Sequence, residues 1–251
     1  MKKFGFTMAE ALFTLGVIGF ISVISLPTLR NSTKFQEMDV ELRRTYYELN
    51  QIAMRFSSDN KITVSEYSTM GNHIDFIEKK FPEYLAGVQK VADYKSGATI
   101  DDRPYVTYLM NGKSTGLHCD NGGYHKDIHG RFYTFDDSPS SGYNGPRVCV
   151  DVNGIKPPNR LGVDTFSFLF TVDGRVIPEG MDHPNNFYDG QGIHWAGGTL
   201  KADGTNNCNS ENYSVTCAYY AINNESPTGE GRYWQDFIAK KHTKIFNLIK
   251  S

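Results

Sequence analysis

Residues 1–30 read MKKFGFTMAEALFTLGVIGFISVISLPTLR, and the reading of this stretch decides the fold. Lys2 and Lys3 precede Gly5, and an apolar run extends from Phe6 to Leu26. A helix of about 20 apolar residues, at roughly 1.5 Å per residue, crosses a bilayer core. Glu10 does not belong in such a run. A carboxylate inside a span costs on the order of 2.5–3.5 kcal/mol, so a span that keeps one has a use for it.

Three readings compete for this segment. A secretory signal peptide would be removed near Ser25, with Val23 two residues before it, although Leu26 and Pro27 follow directly. An ordinary membrane anchor would keep Lys2 and Lys3 in the cytoplasm, but gives Glu10 no role. The third reading uses every unusual residue: Gly5-Phe6-Thr7-Met8-Ala9-Glu10 closely resembles the cleavage and methylation motif of type IV pilins and type II secretion pseudopilins.

That resemblance implies a processing step and a partner. A prepilin peptidase of the inner membrane would cut between Gly5 and Phe6, and Phe6 would become an N-methylated N-terminus. Glu10 would neutralise the N-terminal amine of a neighbouring subunit, since a buried charge is tolerable when paired and can fix register. Pro27 falls where many pilins carry a helix-kinking proline. The resemblance implies residues 1–5 as leader, 6–26 as transmembrane and assembly helix, and 27–251 as an extracytoplasmic domain. The expected partners are other pilin or pseudopilin subunits, the inner-membrane assembly machinery and the lipid bilayer. The expected place is the bacterial inner membrane, single-pass, and then a cell-surface or periplasmic filament.

The remaining sequence suits an ordered domain. Its 251 residues carry 22% charged side chains, 15 Tyr and 16 Phe, which argues against disorder. A net charge of −2 gives no nucleic-acid signal. Four cysteines, Cys119, Cys149, Cys208 and Cys217, behind an export-linked segment favour disulfides. Cys208 with Cys217 and Cys119 with Cys149 is the preferred pairing of three; four free thiols would fit only a reducing compartment.

Periodicity extends the first helix. Phe35, Met38, Leu42, Leu49, Ile52 and Phe56 recur three or four apart or at multiples, with Tyr46 filling the gap, so one helix is expected from Phe6 to Ser57, kinked near Pro27. A second helical stretch, Ser68 to Val91, is interrupted by Pro82. Strands are expected over Tyr105–Met110, Arg131–Phe135, Arg147–Val152 and Thr165–Val172. Hairpin turns fall at Asn111-Gly112 and Asp173-Gly174, the latter leading into Arg175-Val-Ile. Residues 181–216 carry little periodic signal, and Tyr233 to Ile249 returns to a helical pattern. The fold expected is α+β: a long hydrophobic N-terminal helix, the spine, packed on an antiparallel-sheet domain, as in pilins.

No catalytic set emerges, so the chain is not read as an enzyme. There is no Gly-x-Ser-x-Gly elbow, phosphate loop or His-Glu-x-x-His, and the acid pairs Asp101-Asp102 and Asp136-Asp137 are adjacent. The block 149–166 resembles a segment in secretion-type proteins with the same N-terminus. Asp151, Asn153 and Asp164 in it supply oxygen ligands of the kind calcium takes, without EF-hand spacing. The same residues also suit an Asx-turn network between two strands. No other cofactor is expected. His118, Cys119, His125 and His129 have a zinc-like composition, but Gly122-Gly123 and Gly130 argue against one helix face. Tyr188, Trp195, Tyr219, Tyr220 and Tyr233 are candidates for a binding face or for core. The leading expectation is a structural subunit of a type IV pilus or type II secretion pseudopilus. The alternative is a membrane-tethered binding module such as a minor pilin, adhesin or DNA-uptake component.

Overall fold

The computed structural model describes residues 7–85, 87–92, 105–113, 122–135, 141–181, 208 and 216–239, without the side chains of 23–32 and 122. The chain divides into two compact units, Met1–Glu37 and Met38–Ser251. Helix α1 spans Met8–Asn60 and contributes to both.

The two halves of α1 obey different rules. In the first, Leu12, Phe13, Leu15, Ile18, Phe20 and Ile21 are all exposed. In the second, Met38, Leu42, Thr45, Leu49, Ile52 and Phe56 form a buried stripe at alternating spacings of four and three. Thr45, not Tyr46, fills the gap in that stripe, and it does so because a polar partner meets it there. Arg131 donates from Nη1 to Thr45 Oγ1 at 2.9 Å, while Thr45 donates to the carbonyl of Glu41 at 2.7 Å. Tyr46 is half-buried and stacks on Phe168, with ring centroids 5.9 Å apart.

The expected long hydrophobic spine is corrected. Among the described residues, no helix is long and apolar enough to cross a membrane. The α+β class and the antiparallel sheet remain.

A short turn follows α1. Thr63 opens α2 (Val64–Tyr67) as a capping box: its hydroxyl accepts from Glu66 N, and Glu66 Oε2 accepts from Thr63 N, both at 3.1 Å. The chain kinks within Ser68–Asn72, where Gly71 takes a φ of +87°, and then runs helically through α3 (His73–Asp75), a π-helical turn Phe76–Lys80 and α4 (Phe81–Tyr84). Pro82 does not break this stretch, because it sits in the first turn of α4, where its missing N–H is not needed.

The sheet is a six-stranded antiparallel meander in sequence order: β1 (Gln89–Ala92), β2 (Gly122–Lys126), β3 (Phe132–Phe135), β4 (Arg147–Asp151), β5 (Thr165–Phe170) and β6 (Val176–Pro178). Residues 105–110, expected as a strand, form only an isolated bridge, Tyr108 to Arg160. Every residue of β3, β4 and β5 is buried. An aromatic cluster joins α1, the helical turns and the sheet: Phe56 meets Phe76 at 5.5 Å, Phe76 meets Phe170 at 5.3 Å, and Phe81 meets Phe135 at 4.9 Å. Each such side chain contributes about 1.5–3 kcal/mol through burial. His125 is buried beside Phe81 and Phe135, and burial holds its imidazole below the ordinary histidine range despite the opposing bond to the Gly123 carbonyl.

Farther along the same face of β5, where Phe166 meets Trp234 with ring centroids 5.7 Å apart, α5 (Cys217–Asn223) and a π-helical turn, Tyr233–Ile238, complete the core. Trp234 Nε1 donates to Asp39 Oδ1 at 3.1 Å and to the Ala221 carbonyl at 3.2 Å. Tyr233 OH donates to the Gly162 carbonyl at 2.5 Å. The rest of the expected tail helix lies outside the described residues.

Candidate functional site

Thr7 and Glu10 form a capping box at the start of α1. Glu10 Oε2 accepts from Thr7 N and from Thr7 Oγ1, each at 2.8 Å, and Thr7 Oγ1 accepts from Glu10 N at 3.2 Å. Glu10 therefore satisfies an end of its own helix within a single chain. The spacing Thr-x-x-Glu is readable from sequence, yet the anomaly of an acid among apolar residues draws attention away from it. Glu10 leads a segment with a wide exposed apolar surface: Met8 is 82% exposed, Phe13 73% and Phe20 70%. Gly5 and Phe6 lie outside the described residues.

The disulfide Cys208–Cys217 is formed, and Cys149 is buried and disulfide-bonded. Cys119 lies outside the described residues.

Asp151, Asn153 and Asp164 come together around the turn after β4. Asp151 Oδ1 accepts from Asn153 N at 3.0 Å, and its Oδ2 accepts from Tyr105 OH at 2.5 Å and Thr165 Oγ1 at 3.5 Å. Asp164 accepts from Arg160 N at 2.6 Å, Asn159 N at 2.9 Å and Asn153 Nδ2 at 3.1 Å. Each carboxylate oxygen thus already faces an N–H or O–H donor. Asn153 Oδ1 and Asn159 Oδ1 are buried acceptors without a hydrogen-bond partner. Calcium takes six to eight oxygens turned towards the ion, roughly speaking, and this donor-rich shell does not fit it. The arrangement is that of an Asx-turn network. Burial first, and the charge of Asp164 next, push the Asp151 carboxyl well above the usual carboxylate range. The Tyr105 phenol is likewise pushed up, by burial and then by Asp151.

A second polar cluster escaped sequence reading. Asp127 Oδ1 accepts from the backbone N–H of His129 and of Arg131, both at 2.9 Å. Its Oδ2 accepts from Arg131 Nε at 2.6 Å and from Tyr133 OH at 3.0 Å. Arg131, almost fully buried, also pairs with Glu48 of α1. The available signal was Asp127-Ile-His-Gly130, an Asx turn with a glycine for its positive φ.

The other sequence candidates separate. His125 lies in β2 and His129 in the following turn, while His118 is outside the described residues. No group of three or more His, Cys, Asp or Glu placed to hold a metal occurs among the described residues. Tyr233 is core, Tyr219 and Tyr220 meet edge to face at 5.3 Å, and Tyr188 and Trp195 lie outside the described residues. The pairs Asp101-Asp102 and Asp136-Asp137 lie outside them as well. No protein-family model, curated protein or solved structure matches this chain.

Proposed function

We infer that this chain is a prepilin-like structural subunit of a type IV pilus or type II secretion pseudopilus, processed between Gly5 and Phe6 and assembled through its N-terminal segment. The observation that carries the reading is the first half of α1. An apolar surface of this extent is rarely left to water in a monomer, and here it is headed by one carboxylate. A lipid phase or copies of the same segment would cover it, and close-packed apolar side chains then supply the contact energy. In this reading prepilin peptidase and the inner-membrane assembly machinery are the processing and assembly partners, and the inner membrane holds the subunit before assembly.

Glu10 has two separable tasks in such an assembly: capping its own helix through Thr7, and offering charge to a neighbour's N-terminal amine. Glu10→Gln keeps an acceptor for the cap but removes the charge, and Glu10→Ala removes both. Co-expression with a prepilin peptidase, followed by mass spectrometry, should give a chain starting at Phe6. Both variants should fail to enter filaments. A mature chain starting at Leu26 returns the protein to the secreted class, and normal incorporation of Glu10→Gln removes the charge-pairing role.

A further inference from the structure

A cleft of about 300 Å³ lies between α1 and the turn joining β2 to β3, and the assembly reading gives it no role. Its walls come from two kinds of residue. Ile52, Leu85 and Ile128 supply an apolar side, and Ile128 is 69% exposed on the rim. Arg44, Arg55 and Arg131 supply three guanidiniums, against the carboxylates of Glu48 and Asp127.

Two of the three arginines are already engaged with acids. Arg131 holds Asp127 and Glu48. Arg44 Nε pairs with Glu48 Oε1 at 2.9 Å, and its Nη2 donates to His129 Nε2 at 2.6 Å. Arg55 differs: its guanidinium lies over the Tyr84 ring, 5.6 Å from the centroid, and makes no ion pair among the described residues. Among the lining residues three guanidiniums face two carboxylates, and Arg55 is the guanidinium not engaged with a lining acid, its planar fork braced by an aromatic face.

We propose that this cleft binds a monoanionic carboxylate attached to an apolar group, with Arg55 taking the carboxylate and Ile52, Leu85 and Ile128 the apolar part. A single excess charge matches a single negative charge. A phosphate dianion would leave one charge unmatched beside Glu48 and Asp127. The volume lies at the small end of ligand pockets, which suits one residue-sized group rather than a cofactor. The carboxylate can be a peptide's chain end or a free small acid, and the two share this chemistry.

Isothermal titration of the full chain with N-acetyl-leucine, its amide, acetyl-Ala-Ala-Leu with a free carboxyl, and inorganic phosphate tests the proposal. The two acids should bind saturably, and the amide at least tenfold more weakly. The exposed substitution Arg55→Gln should weaken the acids at least tenfold, and Ile128→Ser severalfold, with each variant's thermal midpoint unchanged. Tighter binding of the tripeptide identifies a chain end; equal binding identifies the free acid. Equal affinity for acid and amide, tighter binding of phosphate, no binding at all, or indifference to Arg55→Gln overturns it.

Discussion

Asp127, just after β2, and Asp151, the last residue of β4, build turns of the same kind. Each accepts through Oδ1 from the N–H two residues on, and each accepts through Oδ2 from a tyrosine hydroxyl, Tyr133 in one case and Tyr105 in the other. The turns touch: a Cβ on Gly154, whose φ is +75°, would come within 2.3 Å of the Gly130 carbonyl oxygen. What differs is the facing charge. Asp127 meets the guanidinium of Arg131, whereas the Asp151 carboxyl is pushed up by burial and then by the second buried carboxylate, Asp164. The same local hydrogen-bond pattern thus serves two electrostatic designs. One is a compensated ion cluster that ties the sheet to α1; the other is a buried acid pair held by hydrogen-bond donors.

The largest effect should come from breaking the compensated cluster. Arg131→Met leaves Asp127 and Glu48 facing each other without their cation and should destabilise the domain by about 3–5 kcal/mol. Denaturant unfolding of the variant, and of Arg131→Met combined with Asp127→Asn, measures it. The second substitution should restore part of the loss. A single-variant loss below about 1 kcal/mol would remove Arg131 as the electrostatic anchor, because that is the scale of an exposed pair.

The tyrosines sharpen the comparison at a smaller scale. Tyr105→Phe leaves Asp151 Oδ2 with only the 3.5 Å contact to Thr165, so it should cost about 1–3 kcal/mol, as a buried acceptor losing its donor does. Tyr133→Phe leaves Asp127 Oδ2 still bonded to Arg131 Nε at 2.6 Å, and about 0.5–1.5 kcal/mol is expected. Equal losses in thermal or urea unfolding would mean that the guanidinium does not share the work of the Tyr133 hydroxyl.

Only one of these designs was legible in the sequence, for a physical reason. Asp151, Asn153 and Asp164 stand in one compact block, and local turns bring them together. Arg131, by contrast, reaches Thr45 and Glu48 across 83–86 positions, and no local pattern announces that contact. The strands divide in the same way. Phe132–Phe135, Arg147–Asp151 and Thr165–Phe170 are rich in aromatic and β-branched residues and were expected. β2 reads Gly-Gly-Tyr-His-Lys and β1 Gln-Lys-Val-Ala, both short of such residues; they become strands because neighbours offer ladder partners. Residues 105–110 have the right composition, but Tyr108 exchanges backbone bonds only with the 159–161 turn. At the N-terminus the apolar run was legible at once. Its burden of exposed surface is visible only when no residue of the first half turns inward from Met8 to Phe20.

The acid pair makes the smallest change in stability and the clearest change in its pH dependence. An unfolded aspartate titrates near 3.9 on average. In the folded domain, burial and then Asp164 hold the Asp151 carboxyl well above that range, so between the two values the folded chain binds more protons than the unfolded one. The stability contributed by this group is therefore complete below about pH 4 and is lost as pH rises through the folded pKa. Asp151→Asn keeps an oxygen for Asn153 N and an amide for the Tyr105 oxygen, and it does not titrate. It should lie within about 1 kcal/mol of the native chain at pH 4. Its stability relative to the native chain should then climb with pH, as urea unfolding between pH 4 and 8 would record. A difference that stays flat across that range would mean that Asp151 releases its proton equally well folded and unfolded. In that case the contrast with Asp127 would reduce to geometry alone.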